Sequence, residues 1–157
     1  MSIAIDRDSD GKITRIGLVV NGEPVAQGRP RFSTKGKFVR AYDPKKSRDY
    51  KNLIRTMAQE VYEEAPDFTP FEEALSVKVF IYRQIPKSFS QKKKEAAMVG
   101  LIRPISRPDS TNYVKGVEDS ISGVLWKDDS QIVNLICGKF YSDKPRIEVE
   151  IWSAIPT

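Results

Sequence analysis

Between Arg107 and Gln131 the chain gathers Asp109, Glu118, Asp119, Asp128 and Asp129 around a single lysine, Lys115. The chain as a whole carries a net charge of +5, so these carboxylates are concentrated in a molecule that otherwise attracts anions. Hard oxygen donors of this kind suit Mg²⁺ or Mn²⁺, ions that keep some of their waters and accept substrate phosphate oxygens as further ligands. Such an ion lowers the pKa of an attacking water and offsets charge on a phosphoryl group, and a nearby ammonium such as Lys115 adds a compact positive charge. The residue types therefore imply metal-assisted phosphodiester chemistry.

What is missing narrows the chemistry further. The chain has no histidine and one cysteine, Cys137. Ser-His-Asp and Cys-His catalysis, imidazole-bound zinc, cysteine-bound zinc and an intrachain disulfide are all excluded. Hydrolysis must rely on carboxylate-held metal, lysine, tyrosine or water. Cys137 falls in the apolar run Ile132 to Tyr141 and reads as a small buried hydrophobe.

The elements that would hold these groups follow from spacing. A helix over about 111–122 puts Val114, Val117 and Ile121 on one face and Asn112, Lys115 and Asp119 on the other, at about 100° per residue. Asp109 stands just ahead of this helix, and Asp128 and Asp129 stand just ahead of a strand beginning near Ile132, so Asp109, Asp119, Asp128 and Asp129 can converge on one cavity. Each group also has a plainer role. Lys115 and Asp119 can form a surface ion pair four residues apart, Asp109 can cap a helix, and Asp128-Asp129 can be a solvated turn.

A second concentration of charge lies upstream. From Gln27 to Lys51 nine basic residues (Arg29, Arg31, Lys35, Lys37, Arg40, Lys45, Lys46, Arg48, Lys51) face only Asp43 and Asp49. This block carries more positive charge than the whole chain, the pattern of a polyanion-binding face, although a solvated lysine-rich surface has the same composition. Arg29, Arg31, Lys35, Lys37 and Arg40 are the candidates for tracking DNA phosphates, with Asn112 a further DNA contact beside the acidic segment.

The 157 residues, with 39% hydrophobic and 10% aromatic side chains, suit one α+β domain over 1–157, a mixed β-sheet with helices packed mainly on one side. Strands are expected at Ile13–Val20, Leu75–Ile81, Ile132–Tyr141 and Ile147–Trp152, the last two joined by a turn around Asp143–Pro145. A short extended piece is expected at Lys37–Tyr42. Helices are expected over 45–64, with Pro44 in the first turn, and from a capping box at Ser88 and Gln91 to near Gly100. Asp6-Arg-Asp8-Ser-Asp10-Gly11 imitates the start of an EF-hand loop. Gly17, however, occupies the position of the bidentate glutamate, and a strand follows where a helix is needed. Asp10-Gly11 reads better as a hairpin turn after Ile3–Ile5. No apolar run approaches a membrane span and no signal peptide opens the chain, so a soluble cytoplasmic protein is expected.

The segment resembles the RusA-like Holliday-junction resolvases, a family common in prophages. The residues that carry the likeness are Arg107-Pro108-Asp109, Asn112, Lys115, Asp119, Gly123 and Trp126-Lys127-Asp128-Asp129-Ser130-Gln131. Gln27-Gly28-Arg29-Pro30-Arg31 and Ile85-Pro86-Lys87-Ser88 support it upstream, and the similarity runs through nearly the whole chain from Val20. The resemblance implies a small α+β homodimer in a bacterial or phage-infected cell that cuts four-way DNA junctions with Mg²⁺ by paired symmetric incisions. It implies that Asp109 and Asp129 bind metal and that Lys115 is the essential lysine, with Asn112, Asp119 and Asp128 matching other characteristic positions. The catalytic set is then Asp109, Lys115 and Asp129, and the metal set Asp109, Asp119, Asp128 and Asp129.

One departure stands out. The best-known members of that family read Asp-x-Asp-Asn where this chain has Asp109-Ser110-Thr111-Asn112. Thr111 supplies no anionic ligand, so either Asp119 or Asp128 completes the shell, fewer protein ligands hold the metal, or activity is impaired. The competing expectations are a non-catalytic junction- or DNA-binding protein on the same scaffold and, more remotely, an RNA-directed nuclease.

Overall fold

Alternating apolar residues set the architecture, because every second side chain of a strand shares a face. Leu75, Val77, Val79 and Ile81 of one strand, Ile147, Val149 and Ile151 of another and Ile16, Leu18 and Val20 of a third are all fully buried. They form the inner face of a sheet. The computed structural model describes residues 2–28, 31–33, 40–42 and 44–155. In chain order its elements are β1 (Ser2–Arg7), β2 (Ile13–Asn21), β3 (Arg31–Ser33), β4 (Arg40–Tyr42), α1 (Lys45–Glu64), β5 (Leu75–Gln84), α2 (Gln91–Met98), α3 (Ser110–Ile121), a 3₁₀ turn (Asp129–Gln131), β6 (Ile132–Ser142) and β7 (Arg146–Ser153). Strands β1-β2-β7-β5-β6 form one sheet in that order, and β3-β4 form a separate pair. Only β5 and β6 run parallel in the large sheet. The α+β class and the mixed sheet expected from the sequence are what the chain adopts.

The helices α1 and α3 cover the inner face. Tyr50, Ile54, Met57, Ala58 and Val61 of α1 recur at helical spacing and are buried, as are Tyr113, Val114, Val117 and Ile121 of α3. Trp126 and Leu125 fill the space below the end of α3 and are fully buried in the same core. The outer face carries side chains of opposite character. Phe80, Tyr82 and Phe140 stack there, with Arg146 over Tyr82 at 3.9 Å and Arg103 over Phe140 at 3.8 Å. Arg15 and Lys78 both pair with Glu150 on that face.

One local expectation needs correction. The second helix is capped by Ser90, whose Oγ accepts from Lys93 N at 3.3 Å, and not by Ser88. A turn closed by Phe89 N donating to Pro86 O uses Ser88 up before the helix begins. The extended piece expected at Lys37–Tyr42 is strand over 40–42, and 37–39 lie outside the described residues. The turn expected around Asp143–Pro145 joins β6 to β7, and β7 crosses over β5 to insert between β5 and β2. At the N-terminus the hairpin expectation holds. Asp8 Oδ1 accepts from the N–H groups of Asp10 and Lys12, and Gly11 takes φ +82°, so that carboxylate serves a β-turn.

Candidate active site

Helix α3 and the 3₁₀ turn bring part of the acidic segment together. Asp129 follows the buried Trp126, whose indole Nε1 donates to Asp129 Oδ1 at 2.7 Å. That bond fixes one carboxylate oxygen. Across from it the last turns of α3 carry Glu118 and Asp119. Lys115 Nζ stands 3.5 Å from Asp119 Oδ1, one helical turn away. Burial pushes the Glu118 carboxyl above its ordinary range, and the charges of Asp129 and Asp119 push the same way while Lys115 opposes them. Glu118, Asp119, Asp129 and Lys115 therefore act as one electrostatic group.

Helix α1 supplies the opposite wall. Arg48, Lys51, Asn52 and Arg55 line a cleft of about 510 Å³ with Asp119, Ser122 and Asp129. Arg55 also fastens the two helices: its Nη2 donates to Asp119 O at 2.8 Å and its Nε to Ser120 O at 3.2 Å. These are carbonyls at the C-terminal end of α3, where a helix leaves acceptors unpaired and favours a cation. The result is a cleft with carboxylates on one side and guanidinium and ammonium groups on the other.

The other sequence-derived residues are placed differently. Asp109 is the N-cap of α3, but its carboxylate makes no capping bond. It stands ten residues before Asp119, about 15 Å along the helix at 1.5 Å per residue. Asp128 caps the 3₁₀ turn: Oδ1 accepts from Ser130 N at 2.8 Å, which holds its carboxyl below the ordinary range. Asn112 is exposed, and its backbone carbonyl accepts from Gln27 N at 3.0 Å. Thr111 lies with Lys115, Glu118, Leu135 and Cys137 around a smaller cavity of about 250 Å³. Among the described residues no group of three carboxylates closes into a metal-binding set. The structure thus gathers Asp119, Asp129 and Lys115, ties Asp128 into its own turn and leaves Asp109 at the far end of α3. Arg29, Lys35 and Lys37 lie outside the described residues, as do the side chains of Arg31 and Arg40.

Several working residues had no role assigned from sequence. Gln131 latches the site: its Oε1 accepts from the N–H groups of Lys127 and Asp128, and its Nε2 donates to Phe71 O and Glu73 O. Trp126 orients Asp129, and the α1 residues Asn52 and Arg55 join the cleft from a distant part of the sequence. Arg48 and Lys51 were visible only as charges in the basic block. The juxtaposition of α1 with α3 is a tertiary fact that local spacing does not carry.

Two comparisons with known proteins bear on this arrangement. A chain from Bacillus subtilis (strain 168), the uncharacterized protein YqaN, is 46% identical over 138 residues, which covers 87% of this chain and 94% of that protein. The family model described as endodeoxyribonuclease RusA matches residues 21–152. That span runs from the end of β2 through β7 and contains every element that lines the cleft, and on this match the chain belongs to the RusA endodeoxyribonuclease family.

Proposed function

We propose that this protein is a Mg²⁺-dependent endodeoxyribonuclease that resolves four-way DNA junctions as a homodimer, by a pair of symmetric nicks, in recombination and repair. The observation that carries the reading is the cleft itself, with Asp119 and Asp129 facing Arg48, Lys51 and Arg55. A phosphodiester needs a hard cation on its reacting oxygens and positive side chains on its flanking ones, and this cleft offers partners for both. Mg²⁺ is commonly held by one or two carboxylates plus waters and substrate oxygens, so the donor set of Asp119 and Asp129 fits it, and Mn²⁺ takes the same ligands. When bound, the ion would supply Lewis acidity and lower the pKa of a water.

The chain's own residues do the rest. Trp126 holds Asp129 in one orientation, and Lys115 offsets negative charge gathering beside Asp119. Asp128 sets the turn that presents Asp129; Asp109, to which the family resemblance gives a metal-binding role, stands at the far end of α3, about 15 Å along the helix from Asp119. Helix α1 begins with Lys45, Lys46 and Arg48 and has no acid in its first turn. Cations there oppose the helix dipole at some cost to the helix, and in the sequence they continue the basic block that holds Arg29, Arg31, Lys35, Lys37 and Arg40. Asn112, exposed near the start of α3, is placed to meet DNA beside the acidic residues. The reading places the protein in the cytoplasm of a bacterial or phage-infected cell.

Cleavage of a synthetic four-way junction with and without Mg²⁺ tests this reading. Wild-type protein should cut it into paired nicked duplexes, while Asp129→Asn and Asp119→Asn should bind the junction and leave it whole. The absence of a third carboxylate at Thr111 favours one competing reading, a junction-binding protein without catalysis. Tight junction binding by the wild type with no cleavage in Mg²⁺ or Mn²⁺ would establish that alternative.

A further inference from the structure

A pocket of about 350 Å³ opens at the other end of α3 from the cleft. The segment after β2 brings Pro24, Val25 and Ala26 to it, and the start of α3 brings Pro108 and Tyr113, so its walls are largely apolar. Backbone bonds hold those walls in place. Gln27 N donates to Asn112 O and Gly28 N to Ser47 Oγ, each at 3.0 Å, which staples the segment to α3 and to α1. Asp109 O accepts from Asn112 N at 3.1 Å, so the pocket lies within one helical turn of Asp109.

The polar groups that line it are two cations, Lys46 and Arg83, and two acceptors, Glu23 and the Gln27 side chain. Arg83 is fixed in advance, its Nη1 donating to Ser106 Oγ and to Arg107 O at 3.2 Å. Gln27 Oε1 is buried without a hydrogen-bond partner, and so is the hydroxyl of Tyr50, a residue only 9% exposed. Burial raises the Tyr50 hydroxyl above its ordinary pKa, and the neighbouring Tyr113 and Glu23 push the same way, so it stays protonated. Buried polar atoms without partners are uncommon, because each carries its full desolvation cost. Two of the three such side-chain atoms among the described residues are gathered here.

Resting on the nuclease reading above, we propose that this pocket receives a nucleobase extruded from the branched DNA. A base has flat apolar faces to lie against Pro108 and Tyr113. Every base also has N–H donors on the edge that extrusion frees, and these meet Gln27 Oε1 and Glu23. Lys46 and Arg83 attract the phosphates on either side of it. A base is cheapest to extrude where pairing is already broken, so a branch point yields one at less cost than continuous duplex. The pocket therefore favours branched over unbroken DNA without reading a sequence. Asp109 and Asp119 lie about 15 Å apart along α3, about four steps of a duplex strand. The extruded base then falls within about five nucleotides of the nick.

The fluorescence of 2-aminopurine rises when that base leaves the stack, and it tests the proposal. Junctions carrying one such label, moved through about five nucleotides on either side of the branch point, are titrated with protein in EDTA, where metal-dependent cleavage does not compete. The wild type should raise the fluorescence several-fold at a position near the branch and leave the same label in continuous duplex near its free level. Ala26→Leu narrows the pocket and Gln27→Leu removes the unpaired acceptor. Each should abolish the rise and lower the ratio of junction to duplex affinity by about 10-fold or more. Gln27→Leu should not lower the melting temperature, because it deletes a buried acceptor that has no partner, and circular dichroism checks that both variants fold. No rise at any position with the wild type bound would overturn the inference, as would an undiminished rise in both folded variants. Cleavage in Mg²⁺ is measured separately on the unlabelled junction. A rise without cleavage would refute the nuclease reading and leave the pocket standing, and cleavage without a rise would do the reverse.

Discussion

At the scale of single residues, the site depends on how its carboxylates are held. Asp129 owes its orientation to one bond from a fully buried indole. Trp126→Phe keeps most of the apolar bulk and removes that donor, so the metal dependence should shift more than the stability. Partners that orient a ligand are commonly worth about 10–100-fold in metal affinity or activity. The Mg²⁺ concentration giving half-maximal cleavage should rise accordingly, and an unchanged value would show that Asp129 needs no orienting partner. Glu118 makes a pH-dependent prediction. Its carboxyl is raised above the ordinary 4.5 by burial, then by Asp129. Below the unfolded-state pKa both states hold the proton and nothing is lost. As pH rises through the raised folded-state pKa, the folded form must ionise a group that the unfolded chain ionises more readily, and stability falls. Glu118→Gln should therefore raise the melting temperature of the metal-free protein at pH 7 and leave it nearly unchanged at pH 3.5, as read by calorimetry.

At the scale of elements, the open face of the sheet makes a second stability test. A Cβ at Gly138 would meet the Phe140 ring at 2.7 Å and Arg103 Nη2 at 3.3 Å. That ring is itself held between Arg103 and the rings of Phe80 and Tyr82. Gly138→Ala must displace the stack and should lower stability by about 1–3 kcal/mol in urea unfolding, the ordinary cost of overpacking. The elements were also where the sequence could be read most fully. The 20-residue helix α1, the strands β2, β5 and β7 and the α3 faces follow directly from periodicities of 3.6 and 2, because each buries a single face. Asp109 ahead of a helix and Asp129 at a strand mouth were legible for the same reason. Their expected convergence on one cavity is not found, because two carboxylates bordering one helix are kept apart by its length. Ser90 displaced Ser88 as a cap because a Pro86 turn intervened, and the cleft needed α1 against α3, a contact between parts of the chain more than 60 residues apart.

At the scale of the molecule, charge is divided between a basic approach and an acidic centre. The two meet at the cleft, where Arg48, Lys51 and Arg55 face Asp119 and Asp129. If the basic block follows phosphates, neutralising Arg29, Arg31 and Lys37 together should weaken binding to every DNA sequence alike. It should also flatten the log–log salt dependence by about 0.9 per lost contact on duplex DNA. Titration of a fluorescent junction at several salt concentrations measures that slope, and an unchanged slope would make the block a solvated surface. Base-edge recognition would instead show as a loss confined to particular sequences.

The strand order also governs how the chain can be made. The central strand β7 follows every other strand of the sheet in chain order, and it alone joins the β1–β2 hairpin to the β5–β6 pair. Until residue 153 is available, β2 and β5 each present a bare edge, so the nascent chain holds two half-sheets with nothing between them. Its slowest pairings span most of its length, the circumstance in which folding is delayed and unfinished chains associate with one another. The sheet therefore closes in a single late step, and a chain cut short before Arg146 is left with two half-sheets that each present a bare edge.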